Sequence, residues 1–195
     1  AGADVVVVNT CVVTNTGQHK SRQIINRAVR KNPDALVVVT GCYPQTAPQE
    51  VAAITGVDLL IGNQDRPRIV ELVQAALTQA TVDTSSYVHK LEANTHFEEL
   101  SGGNEEDKTR AYLKIQEGCN QFCTYCIIPY ARGPLRSRSL ANITAEVQRL
   151  VDKGYQEVVL IGIHLGCYGR DLAAGTTLFD AVTAALKVQG LARLR

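Results

Sequence analysis

Cys119, Cys123 and Cys126 stand in a C-x-x-x-C-x-x-C run. Three thiolates at this spacing can ligate three irons of a cubane iron–sulfur cluster and leave the fourth iron without a protein ligand, where four cysteines are the usual set. An open iron marks a place for another molecule to bind. The run is poorly explained by chance: at this chain's cysteine frequency, three fixed positions carry roughly a 0.5% expectation. Zinc is the competing metal, because its ligand spacings overlap with this one. It needs a fourth ligand, and the nearest histidines, His89 and His96, lie upstream in a polar stretch. Spacing alone leaves both metals open and favours the cluster.

Other residues could join such chemistry. Cys11 and Cys42 close the runs Val5-Val-Val-Val-Asn-Thr-Cys11 and Val37-Val-Val-Thr-Gly-Cys42, so each sits just past an apolar segment. If those segments are parallel strands, both thiols lie on the rim where open α/β sheets bind ligands. The plainer alternative is two buried cysteines acting as small hydrophobes. Arg132, Arg136 and Arg138 fall within seven residues beside the cysteine run. They could contact phosphates or fix an anionic ligand, or lie on a solvated loop.

The elements that must position these residues read as alternating strands and helices. Residues 5–8, 36–39 and 57–61 are continuous apolar runs, as expected for parallel strands buried on both faces. Between and after them, 18–31, 47–54 and 67–77 carry helical patterns, with Pro33 just past the first. The expectation for 1–80 is an open parallel α/β sheet. Residues 81–109 are polar, without period, and read as a linker. From 110 the alternation resumes: strand 111–116, the cysteine loop, helix 142–152, strand 157–163, helix 178–188, and a third strand starting at 191–195. The expectation here is a second set of β/α units with parallel strands, whose chemistry would sit at the carboxyl ends of the strands.

Composition bounds the setting. The 195 residues are 45% hydrophobic, enough for real cores. No apolar run approaches the roughly 18 residues of a membrane span, and no signal-peptide pattern is present. Six cysteines, three tightly spaced, suggest metal ligation in a reducing compartment, hence the cytoplasm. A formal net charge of +1 gives no whole-chain argument for nucleic acid. The absence of methionine, and an opening and ending close to strands, give the expectation of further sequence at both ends.

The stretch from Lys114 through Glu117-Gly-Cys-Asn, Cys123-Thr-Tyr-Cys126 and Pro129-Tyr-Ala-Arg-Gly133 resembles the radical S-adenosylmethionine enzymes, and within them the methylthiotransferases. The resemblance implies a methylthiotransferase N-terminal domain followed by a partial radical SAM barrel. It implies two [4Fe-4S] clusters and S-adenosylmethionine as cofactors. Cys119, Cys123 and Cys126 would hold the radical cluster. Cys11 and Cys42, in Asn-Thr-Cys and Gly-Cys-Tyr contexts, would be two ligands of an auxiliary cluster, with a third upstream of Ala1. Pro44 departs from the small residue common there. Tyr125 would lie against the adenine or pack below the loop, and His164 would line the cofactor pocket. Cys167 occupies a turn that relatives fill with a small non-ligand residue, which argues against a metal role.

The implied partners are the tRNA anticodon loop and an electron donor, with no membrane. Ile115 to Cys123, Ile127-Ile-Pro-Tyr-Ala-Arg-Gly-Pro134 and Arg136-Ser-Arg138 look most like the branch acting on threonylcarbamoyladenosine beside the anticodon. The other branches act on isopentenyladenosine in tRNA or on a ribosomal-protein aspartate. From other classes, a zinc-stabilised RNA-binding module without catalysis and a ferredoxin-like electron carrier also stay open.

Overall fold

The computed structural model describes residues 2–78, 85–91, 97–99, 109–172 and 175–195. Packing divides the chain into two compact units: Ala1–Ala93 with Gln121–Gly133, and Asn94–Asn120 with Pro134–Arg195.

The first unit is a four-stranded sheet in the order β1 (Val5–Thr10), β2 (Leu36–Gly41), β3 (Leu59–Ile61) and β4 (Ser85–Tyr87), with every pair parallel. Helix α1 (Asn15–Lys31) links the first two strands. The short helices α2 (Cys42–Thr46) and α3 (Pro48–Ala52) lead to β3, and α4 (Ile69–Thr78) follows it. Side-chain alternation gives β2 and β3 two apolar faces. Val39 and Leu60 pack with Ile25, Tyr43 and Val51, while Val38, Leu59 and Ile61 pack with Leu72 and Ala76. β2 is buried on both faces as its unbroken valines predict, but β1 is an edge strand whose Val7 is 49% exposed.

The helix expected over 47–54 is α3, which Pro48 opens at its first position and which ends at Ala52; α2 precedes it in 42–46, where no helix was expected. β4 falls inside the stretch read as a linker. It carries no apolar alternation and joins the sheet through its parallel pairing with β3, with Tyr87 packing against the core of Val38, Leu59 and Ile61. Most of the remaining 81–109 lies outside the described residues.

The second unit builds a parallel sheet from β5 (Arg110–Lys114), β8 (Glu157–Ile161) and β9 (Arg193–Leu194), in the order β5-β8-β9. A two-residue antiparallel ladder joins β6 (Gln116–Glu117) to β7 (Arg136–Ser137). Between them in the chain lies α5 (Ile128–Arg132), which belongs to the first unit. Helix α6 (Leu140–Asp152) is capped by Ser139, and α7 (Leu178–Leu186) by a Thr177–Asp180 capping box. Ile143, Val147 and Leu150 of α6 and Ala181 and Ala185 of α7 meet Ala111, Leu113, Val158 and Leu160 of the sheet.

Tyr168 ties the loop after β8 into this core. Its hydroxyl donates to the Arg138 carbonyl at 2.5 Å, and burial, reinforced by Asp171 and Asp180, pushes the phenol up to about 12. The unfolded phenol ionises near 10, so its stabilisation is intact below pH 10 and is lost as pH rises through 12. We expect Tyr168→Phe to remove about 2 kcal/mol of the alkaline stability loss over that window, read from denaturant melts at pH 9 and 12. No helix among the described residues is long and apolar enough to cross a membrane.

Candidate functional site

The rim of the first sheet brings Cys11 and Cys42 to neighbouring strand ends. Thr10 pairs in register with Gly41, and each cysteine is the next residue. Gly41 makes this possible. It adopts φ +98°, and a Cβ there would fall 2.5 Å from both Asn9 Oδ1 and the Thr10 carbonyl. Thr10 Oγ1 donates to the Thr40 carbonyl at 2.7 Å and accepts the Tyr43 N–H at 3.3 Å, closing the β1 end onto the start of α2. The buried Ser21 hydroxyl of α1 accepts from the Cys11 N–H and donates to its carbonyl. The backbone of Cys11 is thus pinned while its residue stays exposed; Cys42 is fully buried as the first residue of α2.

Cys123 and Cys126 lie on the segment that packs with this same unit. The Cys126 N–H donates to the Cys123 carbonyl at 2.9 Å, forming a turn. Phe122, just before it, holds φ +47°, a left-handed conformation costly for a bulky residue. Its ring meets Tyr130 edge-on at 5.8 Å. Helix α5 closes the segment: it packs against α2, and Asn63 Nδ2 donates to the Ala131 carbonyl at 2.5 Å. Tyr125 is 91% exposed, so the packing role considered for it is not made in this structure.

Cys119 is reached from the second unit. Gln116, fully buried, donates through Nε2 to the Glu117 and Gly118 carbonyls at 2.9 and 2.7 Å and accepts the His164 N–H at 2.7 Å. One amide therefore fixes both the entry to Cys119 and the end of β8. Gly162 permits the approach, since a Cβ there would lie 2.9 Å from the Gln116 Cβ. β8 ends at Ile161, two residues earlier than the apolar run suggests, because the chain turns at this contact. Gln116→Ala should cost about 2–4 kcal/mol, since it orphans three backbone groups around a buried side chain. Hydrogen exchange at the His164 amide, whose N–H Gln116 accepts, should rise with the loss of stability. Composition gave no hint of Gln116; its only signal was a polar residue ending an apolar strand.

One sequence reading needs correction here. Arg136 and Arg138 do not lie on a solvated loop, and their burial argues against offering phosphate contacts: both are buried. Arg138 Nε donates to the Lys114 carbonyl at 3.0 Å, and its guanidinium stacks 5.1 Å from the Phe97 ring centroid. Burial lowers its pKa despite the nearby Glu146 and Glu99 carboxylates. His164 is exposed at the end of β8, with Nδ1 at 2.8 Å from the buried Cys167 Sγ.

All six cysteines are free thiols, and three soft donors on one loop suit an iron–sulfur cluster chemically. Among the described residues, no three His, Cys, Asp or Glu side chains are gathered in a metal-holding group.

Comparison with known proteins defines the class. Residues 1–62 match the family model described as uncharacterized protein family UPF0004, and residues 113–174 match the radical SAM superfamily. The chain is similar in fold to TsrM of Kitasatospora setae, a radical S-adenosylmethionine methyltransferase solved with cobalamin and a [4Fe-4S] cluster. The TM-score is 0.55 at 16% identity, covering 94% of this chain and 40% of that one. Threonylcarbamoyladenosine tRNA methylthiotransferase MtaB of Bacillus subtilis (strain 168) is 48% identical over 99% of this chain and 42% of its own length. Ribosomal protein uS12 methylthiotransferase RimO of Syntrophotalea carbinolica is 36% identical over 100% and 43%. The tRNA-2-methylthio-N(6)-dimethylallyladenosine synthase of Finegoldia magna is 33% identical over 99% and 42%. The chain spans less than half the length of these relatives and belongs to the radical S-adenosylmethionine methylthiotransferase family.

Proposed function

We propose that the protein carrying this chain is a tRNA methylthiotransferase that acts at carbon 2 of N6-threonylcarbamoyladenosine beside the anticodon. The observation that carries the reading is the 48% identity to the threonylcarbamoyladenosine enzyme, against 36% and 33% to the two neighbouring branches. Cys119, Cys123 and Cys126 would hold one [4Fe-4S] cluster; Cys11 and Cys42 would supply two ligands of a second. When bound, the radical cluster and S-adenosylmethionine supply the electron and the radical that remove hydrogen from an unactivated carbon.

The chain's own residues hold and orient. Gln116 fixes the approach to Cys119 and the backbone of His164. Tyr125 and His164, both exposed, are the groups proposed to meet the cofactor. An unpaired adenosine in an anticodon loop can be splayed out and read directly, which suits a site working on a base edge. The expected partners are that loop and an electron donor, in the cytoplasm. The test is anaerobic reconstitution of the full-length protein, offered threonylcarbamoylated tRNA, isopentenylated tRNA or ribosomal protein uS12. Methylthio product should form on the first alone; product on either of the others reassigns the branch.

A further inference from the structure

Helix α1 concentrates charge that the whole chain hides. Its 17 residues hold five of the chain's 20 lysines and arginines, namely Lys20, Arg22, Arg27, Arg30 and Lys31, and none of its 19 acidic residues. All five residues are exposed, as is His19. No ion pair among the described residues involves any of them. At 100° per residue, Ser21, Ile25 and Ala28 share the face turned to the sheet, and the basic residues fill the outward arc. Arg30 and Lys31 have a local explanation, since cations in a last turn complement the helix dipole. Lys20, Arg22 and Arg27 have none. Three like charges within eight residues repel one another, which adds nothing to the helix.

The inner end of this arc opens on a recess of about 190 Å³ lined by Asn15, Gln18, His19, Arg22 and Tyr43. Asn15, Gln18, His19 and Arg22 follow the i, i+3, i+4, i+7 spacing of one helical face. One carboxylate stands near: Glu50 accepts from Gln18 and from the Tyr43 hydroxyl. Among the described residues, Glu50 is held by these two bonds and makes no ion pair with a residue of α1, while Arg22 and His19 are exposed. The helix begins four residues after Cys11, at the rim described above.

We propose that the outward face of α1, through Lys20, Arg22 and Arg27, binds the phosphate backbone of the RNA substrate. The inference rests on the tRNA reading and places part of the RNA contact on the first unit. Cations spaced along an exposed helix, with no carboxylates interleaved, fit a polyanion, and phosphate contacts of this kind position an RNA without reading its sequence.

The test uses the full-length protein with all three residues changed to glutamine, and the charge-preserving variant Lys20→Arg/Arg22→Lys/Arg27→Lys. Binding of unmodified tRNA is measured from 50 to 300 mM salt, with thermal unfolding midpoints to establish that the variants fold. The glutamine variant should lose about 2 units from the slope of log affinity against log salt, and bind roughly tenfold or more weakly at 0.1 M. The charge-preserving variant should keep the wild-type slope. A folded glutamine variant with the wild-type slope overturns the inference and leaves the tRNA reading standing. A wild-type protein that shows no salt-dependent tRNA binding overturns both.

Discussion

Replacing Cys123 by alanine in the full-length protein should abolish reductive cleavage of S-adenosylmethionine. A cluster held by three thiolates has no spare ligand, and no residue next to this loop matches thiolate softness. Cys123 is exposed, so losing its sulfur removes little packing, and the variant should unfold at the wild-type midpoint. That separates ligation from folding. Cleavage of cofactor by anaerobically reconstituted protein is the readout, with iron content alongside. Full cleavage in the variant would remove the cluster from this loop, and stoichiometric zinc in place of iron would favour a structural metal.

Cys11→Ala should produce a different failure, stopping sulfur transfer while leaving most cofactor cleavage intact, because the two proposed clusters have separate tasks. Cys11 is the better choice of the auxiliary pair. Cys42 is fully buried against the β2 end, where truncation would cost about 1–2 kcal/mol of packing and blur the result. Cys11 is exposed, and the Ser21 bonds that hold it are to its backbone, which the substitution leaves in place. Product analysis by mass spectrometry, with 5′-deoxyadenosine counted in the same reaction, distinguishes the two losses. A variant that still transfers sulfur at the wild-type rate would leave Cys11 as an ordinary exposed thiol.

The apolar runs made the sheets legible. The apolar runs at 5–8 and 36–39 identify β1 and β2, and helical spacing identifies α1, α6 and α7, because burial imposes those patterns. What stayed hidden depends on contacts distant in the chain. β4 is Ser85-Ser-Tyr87, held by its pairing with β3, so nothing in its own pattern announces it. Five-residue helices such as α2 and α5 are too short to show a period. The placement of Gln121–Gly133 with the first unit turns on packing of α5 on α2 and on the Asn63 bond to Ala131, 68 residues apart. Arg138 reads as a loop cation beside a reactive motif, and only its burial with Phe97, Lys114 and Asn142 shows a structural post. The cysteines themselves were plain from spacing, since metal chemistry constrains residue type more tightly than folding does. Gln116 was not, because a buried amide has no motif.

The most direct test of the account is nucleoside mass spectrometry of tRNA from a strain lacking the gene, with and without a plasmid copy. Methylthio-threonylcarbamoyladenosine should vanish, unmodified threonylcarbamoyladenosine should accumulate, and the plasmid should restore the first. Unchanged methylthio-threonylcarbamoyladenosine with loss of the isopentenyl analogue would contradict the assignment.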